Sequence, residues 1–196
     1  TLTLDAGTAG VITAANTVTG GGTLAVTDSG STTFNNVVTV DTVALTDTTG
    51  AVQFDDNLTT TTLTSDANGH FVILIGETTN VTNAVTFNNT GGVTLGNGGD
   101  LTFNSGLIST ASTTSTGGTI TVTGGDLALG VTNLNSETNI DLNGDANLFT
   151  YTSFAGATNL TIAVDGSLSE AAGTSLNNPI NIGAATLDVT IDANNN

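Results

Sequence analysis

No strand-like run in this chain goes far before glycine, asparagine or aspartate interrupts it. "TLAVT", "VVTV", "HFVILI", "GVTL", "DLTF", "TITVT" and "LDVTI" are each four to six residues long. They alternate or run apolar, as short β-strands do. Between them lie "GGG", "TDSGS", "DANG", "NTGG", "GNGG" and "NGD". These residue types accept the left-handed backbone of tight corners. Helical periodicity is nearly absent, and "SLSEAAG" from Ser167 is the one stretch suited to a helical turn. Such a chain is all-β, built from many short strands.

The runs also recur. Thr86-Phe87-Asn88-Asn89 returns as Thr102-Phe103-Asn104-Ser105. Phenylalanines fall at Phe34, Phe54, Phe71, Phe87 and Phe103, in steps of 20, 17, 16 and 16. The next steps land on Ile120, Ile140, Leu160 and Ile180, and the backward ones on Val18 and Leu2. A unit of 16–20 residues suits one coil of a parallel β-solenoid, a β-helix whose coils stack at the strand spacing. The chain then holds about ten coils in one domain over residues 1–196, a rod on the order of 50 Å at the ~4.8 Å strand spacing. Repeats are regular to about residue 130 and looser over 131–196, where Phe149, Tyr151, Phe154 and Pro179 break the step. On this spacing Phe34, Phe54, Phe71, Phe87, Phe103 and Ile120 form one core ladder, with Phe87 between Phe71 and Phe103. Asparagines at the following corner are placed to stack as a hydrogen-bonded ladder.

The charge narrows the partners. The chain has 17 acidic residues, no Lys or Arg and one His, for a net charge of −17. Phosphate binding needs cationic side chains, so nucleic acid is not an expected partner. Nor are anionic membrane surfaces. No apolar run approaches the ~18 residues of a spanning helix, so membrane insertion is not expected. The acidity keeps an exposed β-protein soluble. Without cysteine there is neither disulfide nor thiolate chemistry. A chain without trypsin sites suits an extracellular, secreted location. It starts in strand-like "TLTLD" and carries no obvious polar cap, which reads as an excerpt of a larger protein or a stacking subunit. Open terminal coils favour end-to-end or lateral self-association.

"GGDLTFNSG", "GGTITVTGG" and "GSTTFNNVVTV" resemble the repeats of large bacterial surface exoproteins, the filamentous-haemagglutinin and autotransporter-passenger type. The resemblance covers roughly residues 20–130 well and the rest loosely. It implies a right-handed parallel β-helix outside the cell, used as an adhesive or structural fibre.

Candidate chemistry is sparse. In "DLNGDAN", Asp141, Asn143, Asp145 and Asn147 have the alternating spacing of an oxygen-rich calcium loop. Ala146 replaces the expected glycine and Thr152 the closing acid, so an Asn-Gly turn with acidic flanks is the competing reading. Asp55-Asp56 reads as a solvated corner or a cation site. His70 has no second His or Cys to share a metal, and reads as a solvated or corner histidine. Paired carboxylates in a cleft would indicate a carbohydrate-active β-helix enzyme. The lack of Lys, Arg and Trp argues against one, so no catalytic residues and no cofactor other than calcium are assigned. An exposed patch at Tyr151 and Phe154 would indicate a glycan-binding module. Thr-x-Thr runs such as Thr119–Thr123 look scattered among faces. The expected function is a structural segment of an extracellular fibre or adhesin. A subunit polymerising end to end, assisted by calcium, is the nearest alternative.

Overall fold

The computed structural model describes residues 1–165, 180–181 and 187–192, and all statements below concern these. The helical turn expected at Ser167, and Pro179, lie outside them. Fifteen strands are present: β1 (Leu2–Ala14), β2 (Val18–Phe34), β3 (Val38–Thr48), β4 (Ala51–Phe54), β5 (Leu58–Ser65), β6 (Phe71–Leu74), β7 (Thr78–Val81), β8 (Val85–Thr86), β9 (Gly92–Leu95), β10 (Asp100–Phe103), β11 (Leu107–Ser109), β12 (Thr114–Gly156), β13 (Leu160–Asp165), β14 (Ile180–Asn181) and β15 (Leu187–Asp192). All belong to one hydrogen-bonded sheet, and every strand pair in it is parallel. The protein is an all-β parallel solenoid of roughly eight coils.

Each coil has three faces. Face A carries the column Leu2, Leu24, Val43, Leu63 and, one bridge further, Val85, Leu107, Leu127. Face B carries Ala14, Phe34, Phe54, Leu74, Leu95 and Thr116. Face C carries Val18, Val38, Leu58, Thr79, Leu101 and Ile120. Partners in these columns lie 19 to 22 residues apart. Alternation along each strand turns one residue of every two inward, so three inner faces meet in a single apolar core. No coil could bury that surface alone; each is closed by its neighbours.

This register explains the near-repeat of "TFNN" and "TFNS". Residues 85–103 are one coil. Val85–Phe87 lies on face A, Gly92–Leu95 on face B and Asp100–Phe103 on face C. The two similar segments are two faces of the same turn. Phe87 therefore stacks over Ser65, and Phe103 is paired with Val81 and Val122. The expected single ladder of phenylalanines is replaced by three columns. Phe34 and Phe54, twenty residues apart, do stack, with ring centroids at 4.8 Å and planes within 14°. Phe34, Phe54, Phe87, Phe103 and Ile120 are buried in the core. Phe71 is not: it points outward from β6 and is 48% exposed. It begins a strand whose inward positions are Val72 and Leu74, so the alternation sends its ring to solvent. The ring lies against Gly92 of the next coil, where a Cβ would come 3.1 Å from its Cδ1.

The motif asparagines also separate. Asn36 Nδ2 donates to Ala15 O at the corner between faces B and C. Asn89 lies inside the corner between A and B. Asn104 Nδ2 donates to Asn80 Oδ1 where face C ends. One Asn–Asn step forms where a continuous ladder was expected.

β12 is extended over 43 residues, yet it winds round all three faces, pairing in turn with β9, β10 and β11. Glycine makes the bends. Gly118 has φ +89° and Gly125 has φ +74°; a Cβ there would sit 2.2 Å from Gly99 O and 2.3 Å from Ser105 O. Beyond residue 131 the parallel pairing continues, Ile140 with Ile162 and Ile162 with Val189. Phe149, Tyr151 and Phe154 form a tilted aromatic cluster there, with centroids 5.1 to 6.5 Å apart. No helix of the structure is long and apolar enough to cross a membrane.

Candidate functional site

Three corners and three outer faces offer places for chemistry. The corner between faces A and B is polar on its inner side. Ser29 Oγ and Thr32 Oγ1 share a hydrogen bond of 2.9 Å. Further along the rod, Ser109 Oγ and Thr114 Oγ1 do the same at 2.7 Å. Between them lies the most developed constellation of the described residues: Ser65, His70 and Asn89, all buried.

The hydrogen bonds of this cluster fix its protons. Asn89 Nδ2 donates to two backbone carbonyls, His70 O at 3.0 Å and Gly92 O at 2.8 Å. Carbonyls only accept, so the amide orientation is set and Asn89 Oδ1 must accept. It takes the Ser65 hydroxyl proton at 3.0 Å. Ser65 Oγ has then spent its only proton, so its 3.0 Å contact with His70 Nε2 requires the ring to donate. His70 is thus the Nε2–H tautomer. Its Nδ1 is buried with no hydrogen-bond partner. Burial lowers the His70 pKa below the ordinary 6.5, with the Asp66 carboxylate opposing that shift.

A Ser–His contact at this distance invites comparison with a nucleophilic dyad, but the proton runs the wrong way. A general base must accept from the serine hydroxyl, whereas here the imidazole donates to it. No carboxylate orients Nδ1, and the cluster is sealed inside the corner. The arrangement ties two successive turns together, the corner of Ser65 and His70 and the corner of Asn89 above it. His70 was expected to be a solvated or corner histidine; it lies at a corner, on its buried side. What hid its burial is that the stacked turns, not the local sequence, decide which side of the corner faces inward.

The remaining sequence candidates lie apart from this cluster. Asp141 and Asn143 lie on β12, half-buried and exposed, on either side of inward-facing Leu142. Along a strand such alternate residues stand about 6.7 Å apart on one face, whereas a calcium loop curls its ligands around one ion. The side chains of Asp145 and Asn147 lie outside the described residues. At the Asp55-Asp56 corner, Asp56 Oδ1 accepts from Asn57 N at 2.7 Å and Asp55 accepts from Gln53 Nε2. Among the described residues no group of three His, Asp or Glu side chains converges as a metal site. Tyr151 and Phe154 are 5% and 1% exposed, so they form core and not a surface patch.

On the outside, face C aligns more threonines than the sequence spacing indicates. Thr19, Thr39, Thr59, Thr102 and Thr121 share one outward column with Asn80. The next column runs Thr78, Asp100, Thr119, so an acid interrupts any double threonine row. A shallow groove at the corner between faces B and C brings Glu77 and Asp100 together with Asn97 and three glycines. Among the described strands β1 pairs with β2 alone, and Leu2 and Val11 are 49% and 71% exposed. Comparison with known proteins finds no matching family model, no matching curated protein and no matching solved structure.

Proposed function

We propose that this protein is a structural segment of an extracellular fibre or adhesin, of the kind found on bacterial surfaces. The observation that carries the reading is the sheet itself. Every described strand joins one continuous parallel array whose hydrogen bonds run along the rod axis. Pulling along that axis loads many backbone hydrogen bonds and the core columns together. The resemblance of "GGDLTFNSG" and its neighbours to haemagglutinin-type and autotransporter-passenger repeats supports the same reading. So does a side-chain inventory without Lys, Arg or Cys, which suits a soluble, protease-resistant extracellular surface.

A second form of this function is end-to-end assembly. Parallel coils of this register can continue by adding a further coil, of the same chain or of another copy, against β1 with its exposed Leu2 and Val11. Calcium would assist by screening the acidic surfaces of adjoining copies. Negative-stain electron microscopy, with calcium and with chelator, tests both forms. Separate rods near 40 Å, eight coils at the ~4.8 Å strand spacing, are the outcome expected of a fibre segment. Filaments a few nanometres wide and many rods long would establish the polymerising form, and their loss in chelator the calcium role. Compact particles of neither shape would overturn both.

A further inference from the structure

We infer that His70 is a proton-operated latch: neutral, it holds two stacked turns of the solenoid shut, and protonated, it leaves the corner for solvent. In this chain His70 is the one side chain able to carry positive charge, because Lys and Arg are absent. The fold places that side chain inside, tied through Nε2–H to Ser65 and through its own carbonyl to Asn89. The turn above it fits closely. A Cβ on Gly91 would lie 2.4 Å from Gly69 O and 2.5 Å from His70 O, so the 88–91 turn sits directly on the 69–70 backbone. Asn68 Nδ2 secures the turn below by donating to Thr46 O at 2.9 Å.

A second proton can go only to Nδ1, which is buried and meets no acceptor. The imidazolium would therefore be charged, desolvated and unpaired on that side, the costliest state for a buried group. Its nearest charge is Asp66, on the turn between β5 and β6, whose carboxylate is exposed. The turn below carries Asp47, whose side chain lies outside the described residues. The 88–91 turn and the facing strands β6 and β9 carry no charged residue. Swinging outward gives the charged ring water as well as Asp66, whereas staying inward leaves it only the opposing field of Asp66 against the cost of burial. The inward state thus needs a neutral ring, and acid favours the outward one.

The sign follows. Burial depresses the closed-state pKa below 6.5, so the closed corner binds fewer protons than the open one. The latch is fully effective above about pH 6.5 and weakens as pH falls below it, until the closed-state pKa is reached. Within that window the opening constant rises by up to about tenfold per pH unit.

One imidazole makes the test direct, because a single histidine signal needs no assignment. NMR titration would follow the His70 ring nitrogens while hydrogen exchange reads the amides of Asn68, Phe71 and Thr90, corrected for intrinsic exchange rate. The expected result is an Nε2–H pattern at pH 8, and a midpoint below 6.5 at which those amides lose protection. His70→Gln keeps a donor for Ser65 without titrating, and should remove the pH-dependent part of the exchange while core amides far along the rod, such as Ile140, stay protected. A midpoint at or above 6.5, or amides that stay protected as the ring titrates, would overturn the latch. Should the Gln variant fail to fold, the wild-type titration alone still decides between these results.

Discussion

Which phenylalanine is changed matters more than that it is phenylalanine. Phe54 and Phe87 are fully buried, while Phe71 lies outside on Gly92. Phe54→Ala removes a ring stacked on Phe34 and should cost about 3–5 kcal/mol. Phe87→Asp is expected to cost more, because it buries a carboxylate in a chain with no Lys or Arg to pair it. Phe71→Ser should change stability by less than about 1 kcal/mol, the range of an exposed site. Urea midpoints should rank wild type and Phe71→Ser together, then Phe54→Ala, then Phe87→Asp. If Phe71→Ser ranked with Phe54→Ala, the assignment of inner and outer positions on face B would be wrong. Residue burial was only partly legible in the sequence. Period-two alternation marks which residues share a side of a strand. Between two apolar sides, as in "HFVILI", it does not mark which one faces in: Phe71, Ile73 and Ile75 compete with Val72 and Leu74, and the neighbouring coils decide.

At the scale of the element, the strands and corners were legible and the coil length was not. Short β-branched runs and Gly/Asn/Asp corners follow from local backbone preference, and the structure places strands at those runs. The step of 16 between Phe71, Phe87 and Phe103 misleads because the coil has three faces. From Phe87 to Phe103 the chain passes from face A to face C of one turn, and from Phe71 to Phe87 it passes from face B to face A of the next. A sixteen-residue echo thus measures two sides of a three-sided coil, and the true step of 19 to 22 appears only when strands are paired. The candidate site was less legible still, since Asn89 joins Ser65 and His70 only through stacking. Corner glycines give this scale its test. Gly118→Val forces a side chain into φ +89° and against Gly99 O, and should disrupt the bend at which β12 passes to face C. Gly69→Ala, where nothing lies within 4 Å, should leave stability unchanged or raise it by up to about 1 kcal/mol through the unfolded chain. Thermal unfolding of the two variants side by side measures the difference. Equal losses would mean that the bends do not depend on glycine.

Stacking in register also stacks charge, and this sets the behaviour of the whole molecule. Asp5 pairs with Asp28, and Asp28 with Asp47, so acids recur at the strand spacing of about 4.8 Å. Like charges directly opposite on neighbouring strands oppose pairing. With a net charge of −17, the chain has no Lys or Arg side chain to pair with them. Solvent ions must offset them. Raising sodium chloride from about 10 to 150 mM shortens the screening length from about 30 to 8 Å, and the unfolding temperature should rise over that range and then level off. A fall or no change would mean that the open chain is repelled as strongly as the coiled one, which the close spacing of these columns argues against. Divalent ions then separate screening from binding. At matched ionic strength, calcium and magnesium should stabilise alike if both act through the diffuse field. Calcium binds through more and looser oxygen ligands than magnesium. An excess rise with calcium, lost in the Asp141→Asn variant, would identify the stretch from Asp141 to Asn147 as a bound site; equal rises would leave the acidic columns as the whole of the effect.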